Sequence, residues 1–279
     1  MSERHQDYGN LQIDELNYNN YLNIPELTSL QQLRSDPRHH DEMFFIVIHQ
    51  SFELWFKEVL HEIDLLAKHL DEGNVSRVLK VLKRIHAILT CLTQQIQLLG
   101  TLTPKEFSGF REALGTGSGF QSVQFREIEF ALGLRDSWFF QFFKSHPDEL
   151  ARLQARCEQP SVYDKLLKTL KNVGHDIPDE VINRDFTEPY VMNDKVVEVI
   201  NNIYDAPQEN YHMVLLFEAL IDLDTMWSSW RAVHILMVSR TIGAKKGTGG
   251  SAGADFLESR LPLRFFPEIW EVRNSEWTK

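Results

Sequence analysis

Two histidines sit where the sequence is otherwise strongly apolar. His49 follows six apolar residues in "MFFIVIHQSFELWF" (43–56), and His234 lies within "WRAVHILMVSRTIGAKKGTGGSAG" (230–253). At helical spacing His49 shares a face with Phe45, Ile46, Phe52 and Phe56, and His234 with Trp227, Trp230, Met237 and Val238. Burial disfavours the imidazolium, so both rings are expected to be neutral. A neutral imidazole in an apolar wall is either a core residue bonded to a backbone carbonyl or a ligand for a buried haem iron. Periodicity does not separate the two.

Two glycine-rich stretches suit an anion. "REALGTGSGF" (111–120) places Arg111 ahead of successive glycines, and "KKGTGGSAG" (245–253) offers Lys245, Lys246 and Thr248 among exposed backbone N–H groups. Glycine admits close approach of the backbone, and an arginine fork binds a carboxylate through two hydrogen bonds. Neither stretch has the GxxxxGK[ST] order of a phosphate loop or a preceding strand. In "RHHDEM" the residues His39, His40, Asp41 and Glu42 are all possible metal ligands. Neighbours on a helix diverge by about 100°, so they do not converge on one ion, and the two acids already suit a helix start. Asp222 and Asp224 are expected on a solvated or salt-bridged face.

Helices must position these groups, because apolar residues recur at helical spacing and alternating strand-type runs are nearly absent. The expected class is all-α, one helical bundle with long core helices. The spacing predicts helices over about 39–70, 75–99, 121–132, 137–143, 147–158, 161–171 and 210–242, with Thr103 capping a further helix that begins at Pro104. "GHDIPDEVINRDFTEPY" (174–190) is the longest irregular candidate. No linker or repeat divides the 279 residues, so one domain over 1–279 is expected. The polar segment 1–35 contains "LNYNNYL", which has no place in a bundle core and is expected to dock on something else.

A net charge of −11 and a pI near 5.5 argue against nucleic acid as the main partner. Two cysteines give neither a disulfide framework nor a metal knuckle, and no apolar run approaches a membrane span. The expectation is a soluble cytoplasmic protein.

Five segments in order resemble the tryptophan 2,3-dioxygenases: "YNNYL" (18–22), "HHDEMFFIVIHQSFELWFK" (39–57), "LTPKEFSGFREALGTGSGFQSVQFREIE" (102–129), "WRAVHILMVSRTIGAKKGTGGSAG" (230–253) and "FFPEIWEVR" (265–273). The resemblance implies an all-helical homotetramer that binds haem b and uses O2 to open the C2–C3 bond of L-tryptophan. The product is N-formylkynurenine, in the first step of tryptophan breakdown through kynurenine. It implies His234 as proximal iron ligand and His49 as partner of the indole N–H. Phe45, Ile46, Val47 and Ile48 would accompany His49 along the substrate, with Phe107 and Leu114. Arg111 and Thr248 would hold the amino-acid end, and Ser118, Gly119, Phe125 and Val238 would border the haem. Tyr18, Tyr21 and Leu22 would reach the active site of a neighbouring subunit.

Phe107 and Phe125 stand where some bacterial relatives have tyrosine, and Ile96 stands where some have tryptophan. All three changes keep an apolar pocket, and the two phenylalanines remove hydroxyl contacts. Three other readings remain open: a sister haem dioxygenase of broader indoleamine specificity, a non-catalytic helical module with structural histidines, and a hydrolase with a non-haem metal at "HHDE".

Overall fold

The computed structural model describes residues 16–243 and 254–275. Its helices are α1 (Tyr18–Leu22), α2 (Ile24–Leu27), α3 (His40–Asp71), α4 (Val75–Leu99), α5 (Pro104–Phe110), α6 (Val123–Leu132), α7 (Pro147–Glu158), α8 (Val162–Asn172), α9 (Asp179–Ile182), α10 (Asp194–Asp205), α11 (Tyr211–Ile242), α12 (Ala254–Ser259) and α13 (Pro267–Glu271). Short 3-10 turns occupy 111–114, 119–121, 137–143 and 272–274. No strand occurs among the described residues, as the missing alternation predicted.

The helix ends follow local chemistry. Asn74 caps α4, its side chain accepting from the Arg77 N–H, and the preceding Gly73 takes a left-handed φ of 66° that separates α4 from α3. Thr103 and Glu106 form a reciprocal capping box at α5, with Pro104 in the first turn. His39 caps α3 by accepting from the Asp41 N–H at 3.3 Å. Its ring lies so close to Gly109 that a Cβ there would stand 2.5 Å from Nε2. Glu42 satisfies the turn before α3, accepting from Arg34 N, Ser35 N and Ser35 Oγ. "HHDE" is thus a helix start, and among the described residues no three His, Cys, Asp or Glu side chains are arranged to hold a metal ion.

The core follows the helical period. On α4 the residues Val78, Val81, Leu82, Ile85, Leu89, Leu92 and Ile96 are all buried. Each such aliphatic side chain contributes about 1.5–3 kcal/mol by leaving water. Helix α4 packs against α3 on one side and α11 on the other, while α3 also meets α6 and α8. Helices α3 and α11 meet through side chains, with Phe52 and Phe56 against Trp230, while their backbones stay further apart. The space between them is where the site lies.

Three expectations differ from the structure. The stretch 174–190 contains the short helix α9, and α10, which was not anticipated, carries Val196, Val199, Ile200 and Ile203 into the core. Residues 137–143 form 3-10 rather than α-helix. Asp224 is fully buried, not solvated: its Oδ2 accepts from Phe265 N, Phe266 N and Trp270 Nε1, which ties the C-terminal segment to α11. No helix among the described residues is long and apolar enough to cross a membrane.

Candidate active site

A cavity of about 830 Å³ opens between α3 and α11, floored by Leu99 and Leu102 at the end of α4 and closed by α5, α6 and α12. His49 and His234 both line it. Their side chains come from the two long helices that both pack against α4.

His49 was expected to be buried. It is solvent-accessible, because its ring faces the cavity space, yet protein surrounds it on the other sides. Its Nδ1 lies 2.8 Å from the Phe45 carbonyl oxygen. A carbonyl only accepts, so Nδ1 carries the proton and Nε2 keeps a lone pair. Desolvation lowers the His49 pKa, opposed by that hydrogen bond and by the Glu53 carboxylate one turn on. Glu53 also lines the cavity and is held by Gln124, whose Nε2 donates to Glu53 Oε2 at 2.8 Å and to its backbone oxygen at 2.9 Å. The Phe45 ring packs over His49 at 4.0 Å between centroids and meets Phe107 at 5.8 Å.

His234 is half-buried and makes no hydrogen bond among the described residues. Desolvation, with a smaller contribution from the charge His49 would carry, pushes its pKa down to about 4. A neutral nitrogen without a protein partner, facing a large apolar cavity, is the donor an iron porphyrin requires. The ring is braced by Trp230, stacked on it at 5.2 Å and 21°. Trp230 leads into an aromatic wall of Phe52, Phe56, Phe125 and Trp227. The residues present therefore fit a planar, apolar, metal-bearing group.

The cavity gathers Phe45, His49, Phe107, Arg111, Leu114, Ser118, Gly119, Phe125, His234 and Val238, drawn from most of the chain's length. It does not gather Ile46, Val47 or Ile48. Successive helical residues point about 100° apart, so Ile48 turns into the core at 4% exposure and Val47 faces outward at 47%. Tyr18, Tyr21 and Leu22 on α1 lie exposed, outside their own chain's cavity. Ile96 is fully buried in the core and does not line the cavity. Thr248, with Lys245 and Lys246, lies outside the described residues.

Sequence reasoning missed six charged side chains that line the cavity: Glu53, Lys57, Arg126, Glu129, Arg231 and Arg260. The signal was in "QFREIE", a helix whose residues 125–132 are all buried, charges included. A charged residue is assigned to the solvent face by pattern alone, and only packing on all sides reverses that.

The comparisons with known proteins all point to one family. The family model described as "Tryptophan 2,3-dioxygenase" matches residues 4–159 and 144–275. A protein of Xanthomonas euvesicatoria pv. vesicatoria named tryptophan 2,3-dioxygenase is 44% identical over 260 residues, covering 93% of this chain and 87% of that protein. One of the same name from Caulobacter vibrioides is 42% identical over 259 residues, covering 93% of this chain and 98% of that protein. With the matched span running through both histidine-bearing helices, the chain belongs to the tryptophan 2,3-dioxygenase family.

Proposed function

We propose that this chain is a haem-dependent oxidoreductase that cleaves the C2–C3 bond of L-tryptophan with O2 to give N-formylkynurenine. The observation that carries this reading is the pair of neutral imidazoles, His49 and His234, on the walls of one apolar cavity. Haem b, when bound, supplies the redox chemistry that dioxygen requires.

The protein's own groups do the rest. His234 holds the iron through its unprotonated nitrogen. His49 Nε2 accepts from the indole N–H and so fixes the plane and direction of the ring, while Phe45 packs against it. Arg111 takes the substrate carboxylate, with Phe107 and Leu114 beside it. Thr248 completes the amino-acid end. The aromatic and aliphatic wall excludes water, which strengthens each of these polar contacts and holds the reacting carbons in one orientation. Phe107 and Phe125 bring no hydroxyl to the wall, so binding of the head group falls more heavily on Arg111.

Further parts of the reading follow from the family. The chain forms one haem dioxygenase domain over residues 1–279 and assembles as a cytoplasmic homotetramer. In that assembly Tyr18, Tyr21 and Leu22 border a neighbour's cavity. Exposure of Tyr18 at 73% and Tyr21 at 72%, on a helix with no buried residue, supports a partner for this segment.

The test is to purify the protein with haem supplied, record its absorption spectrum, and follow product formation from tryptophan under air. A Soret band with turnover of L-tryptophan, and severe loss with tryptamine, is expected. Equal turnover of tryptamine would favour a sister haem dioxygenase of broader indoleamine specificity, and a colourless, inactive protein would end the proposal.

A further inference from the structure

Helix α5 brings two groups to the cavity, Phe107 and, at its C-terminal end, Arg111. The Arg111 N–H donates to the Phe107 carbonyl, so Arg111 moves with the helix. Little holds α5 in place. It has seven residues, of which Phe110 is the buried one, and it packs on α3 and α11.

On the α3 side the docking point is His39. Gly109 approaches its imidazole so closely that a Cβ on Gly109 would lie 2.5 Å from Nε2 and 2.6 Å from Cδ2. A glycine inside a helix is unfavourable relative to alanine. Gly109 has no left-handed φ to account for it, so the close approach is its reason. The ring is tied as well. Its Nδ1 accepts from the Asp41 N–H at 3.3 Å, the His39 N–H donates to Ser35 Oγ at 2.9 Å, and Ser35 Oγ donates in turn to buried Glu42 at 2.6 Å. Phe110 lies against the imidazole at 5.6 Å between centroids. From Phe110 the rings run on to Phe107 at 5.4 Å and to Phe45 at 5.5 Å, and Phe45 packs over His49. His39 is therefore the outer end of a row of rings that reaches the cavity.

We propose that His39 is a positioning residue for Arg111: its ring is the stop on which Gly109 seats α5, and this seat sets the reach of the guanidinium over the cavity. This rests on the proposed function, in which Arg111 takes the substrate carboxylate. His39 does not line the cavity and acts through α5. Relaxing a 2.5 Å approach to an ordinary contact of roughly 3.5 Å would move the helix or the ring by about 1 Å. A misplacement of about 1 Å in a group that orients substrate is enough to be felt in catalysis.

The experiment compares Gly109→Ala, His39→Asn and the double variant. Asparagine keeps a side-chain acceptor at the start of α3 and removes the ring. Each protein is tested for haem uptake, for KM and kcat with L-tryptophan, and for the Kd of tryptamine, which lacks the carboxylate. Gly109→Ala is expected to raise KM about tenfold, the scale of one charge-assisted hydrogen bond, with haem uptake, kcat and the tryptamine Kd within about twofold of the wild type. The double variant is expected to recover most of that loss, because the new methyl group then fills space that the ring has left. A wild-type KM in Gly109→Ala overturns the inference, and so does a double variant no better than Gly109→Ala. An equal rise in the tryptamine Kd overturns it, since the pocket and not the carboxylate site has then moved. Loss of haem uptake in Gly109→Ala overturns it too, because the seat then supports the whole cavity. Failure of the wild type to turn over L-tryptophan is a different result and strikes the proposed function and this inference together.

Discussion

Acidification probes the desolvated state of His234. Burial, with a smaller contribution from the charge His49 would carry when protonated, moves its pKa from the ordinary 6.5 to about 4. Only the neutral ring has a lone pair for a metal, so proton and iron compete for it. At about pH 5.5 a ring with a pKa of about 4 is roughly 3% protonated, whereas an unperturbed ring is roughly 90% protonated. Between about pH 7 and about pH 5.5 the haem affinity is therefore expected to change by only a few per cent, against a roughly eightfold loss for an unperturbed ring. The same shift acts on folding of the haem-free chain. Between about pH 6.5 and about pH 4 the unfolded ring binds a proton that the folded ring does not. The stability contributed by keeping the ring neutral is thus fully present above about pH 6.5 and is lost as the pH falls toward about 4, by up to roughly 3 kcal/mol. Haem uptake at the two pH values, with ring resonances of labelled histidine in the haem-free protein, measures both effects. An eightfold loss of affinity accompanied by protonation of His234 near its ordinary pKa would refute the reasoning.

Other consequences are open to measurement. His234→Ala is expected to lose tight haem binding, and His49→Ala to keep the Soret band while turnover falls about tenfold, the worth of one orienting hydrogen bond. The reverse pattern would mean that the two faces have been exchanged. Arg111→Ala is expected to weaken tryptophan binding by about 1.5–3 kcal/mol, read as a rise in KM or in a directly titrated Kd, and unchanged affinity would remove its assigned role. Glu129→Gln leaves Arg126 and Arg231 buried without their shared carboxylate, so a loss of about 3–5 kcal/mol in unfolding free energy is expected by denaturant titration. A variant as stable as the wild type would show that the cluster is better solvated than its burial implies.

The long helices were legible because each level of the sequence agrees about them. On α4 the cap at Asn74, the apolar repeat through Val78, Leu82, Ile85, Leu89 and Ile96, and the stop at Gly100 give both ends to the residue. For α10 the same signal is present, with Asn193 as cap and Val196, Val199, Ile200 and Ile203 as its apolar face, but it follows an irregular stretch that masks it. Other features have no local signature. Asp224 looks like a surface acid until its three donors arrive from Phe265, Phe266 and Trp270 at the far end of the chain, two of them backbone N–H groups that any sequence would offer. Arg126 and Glu129 sit three residues apart, a spacing equally suited to an exposed ion pair. Only the enclosure of α6 on all sides makes them part of a cavity wall.

The two histidines show where sequence pattern ends and architecture begins. Each lies in an apolar face that periodicity reads as core, and along most of α3 and α11 that reading holds, with Phe56, Ile63 and Leu66 on one and Leu216, Leu220 and Trp227 on the other all buried. A core reading fails at His49 and His234 because, beyond the contact of Phe52 and Phe56 with Trp230, α3 and α11 leave a cavity that both imidazoles line. Desolvation by the surrounding protein lowers the pKa of both imidazoles, as it would for a core histidine, although the His49 ring stays solvent-accessible. They differ in what their nitrogens meet: His49 spends its proton on the Phe45 carbonyl and turns a lone pair to the cavity, and His234 has no protein partner at all among the described residues. Under the proposed function, ligands complete the two nitrogens that face this cavity, an iron at one and an N–H donor at the other.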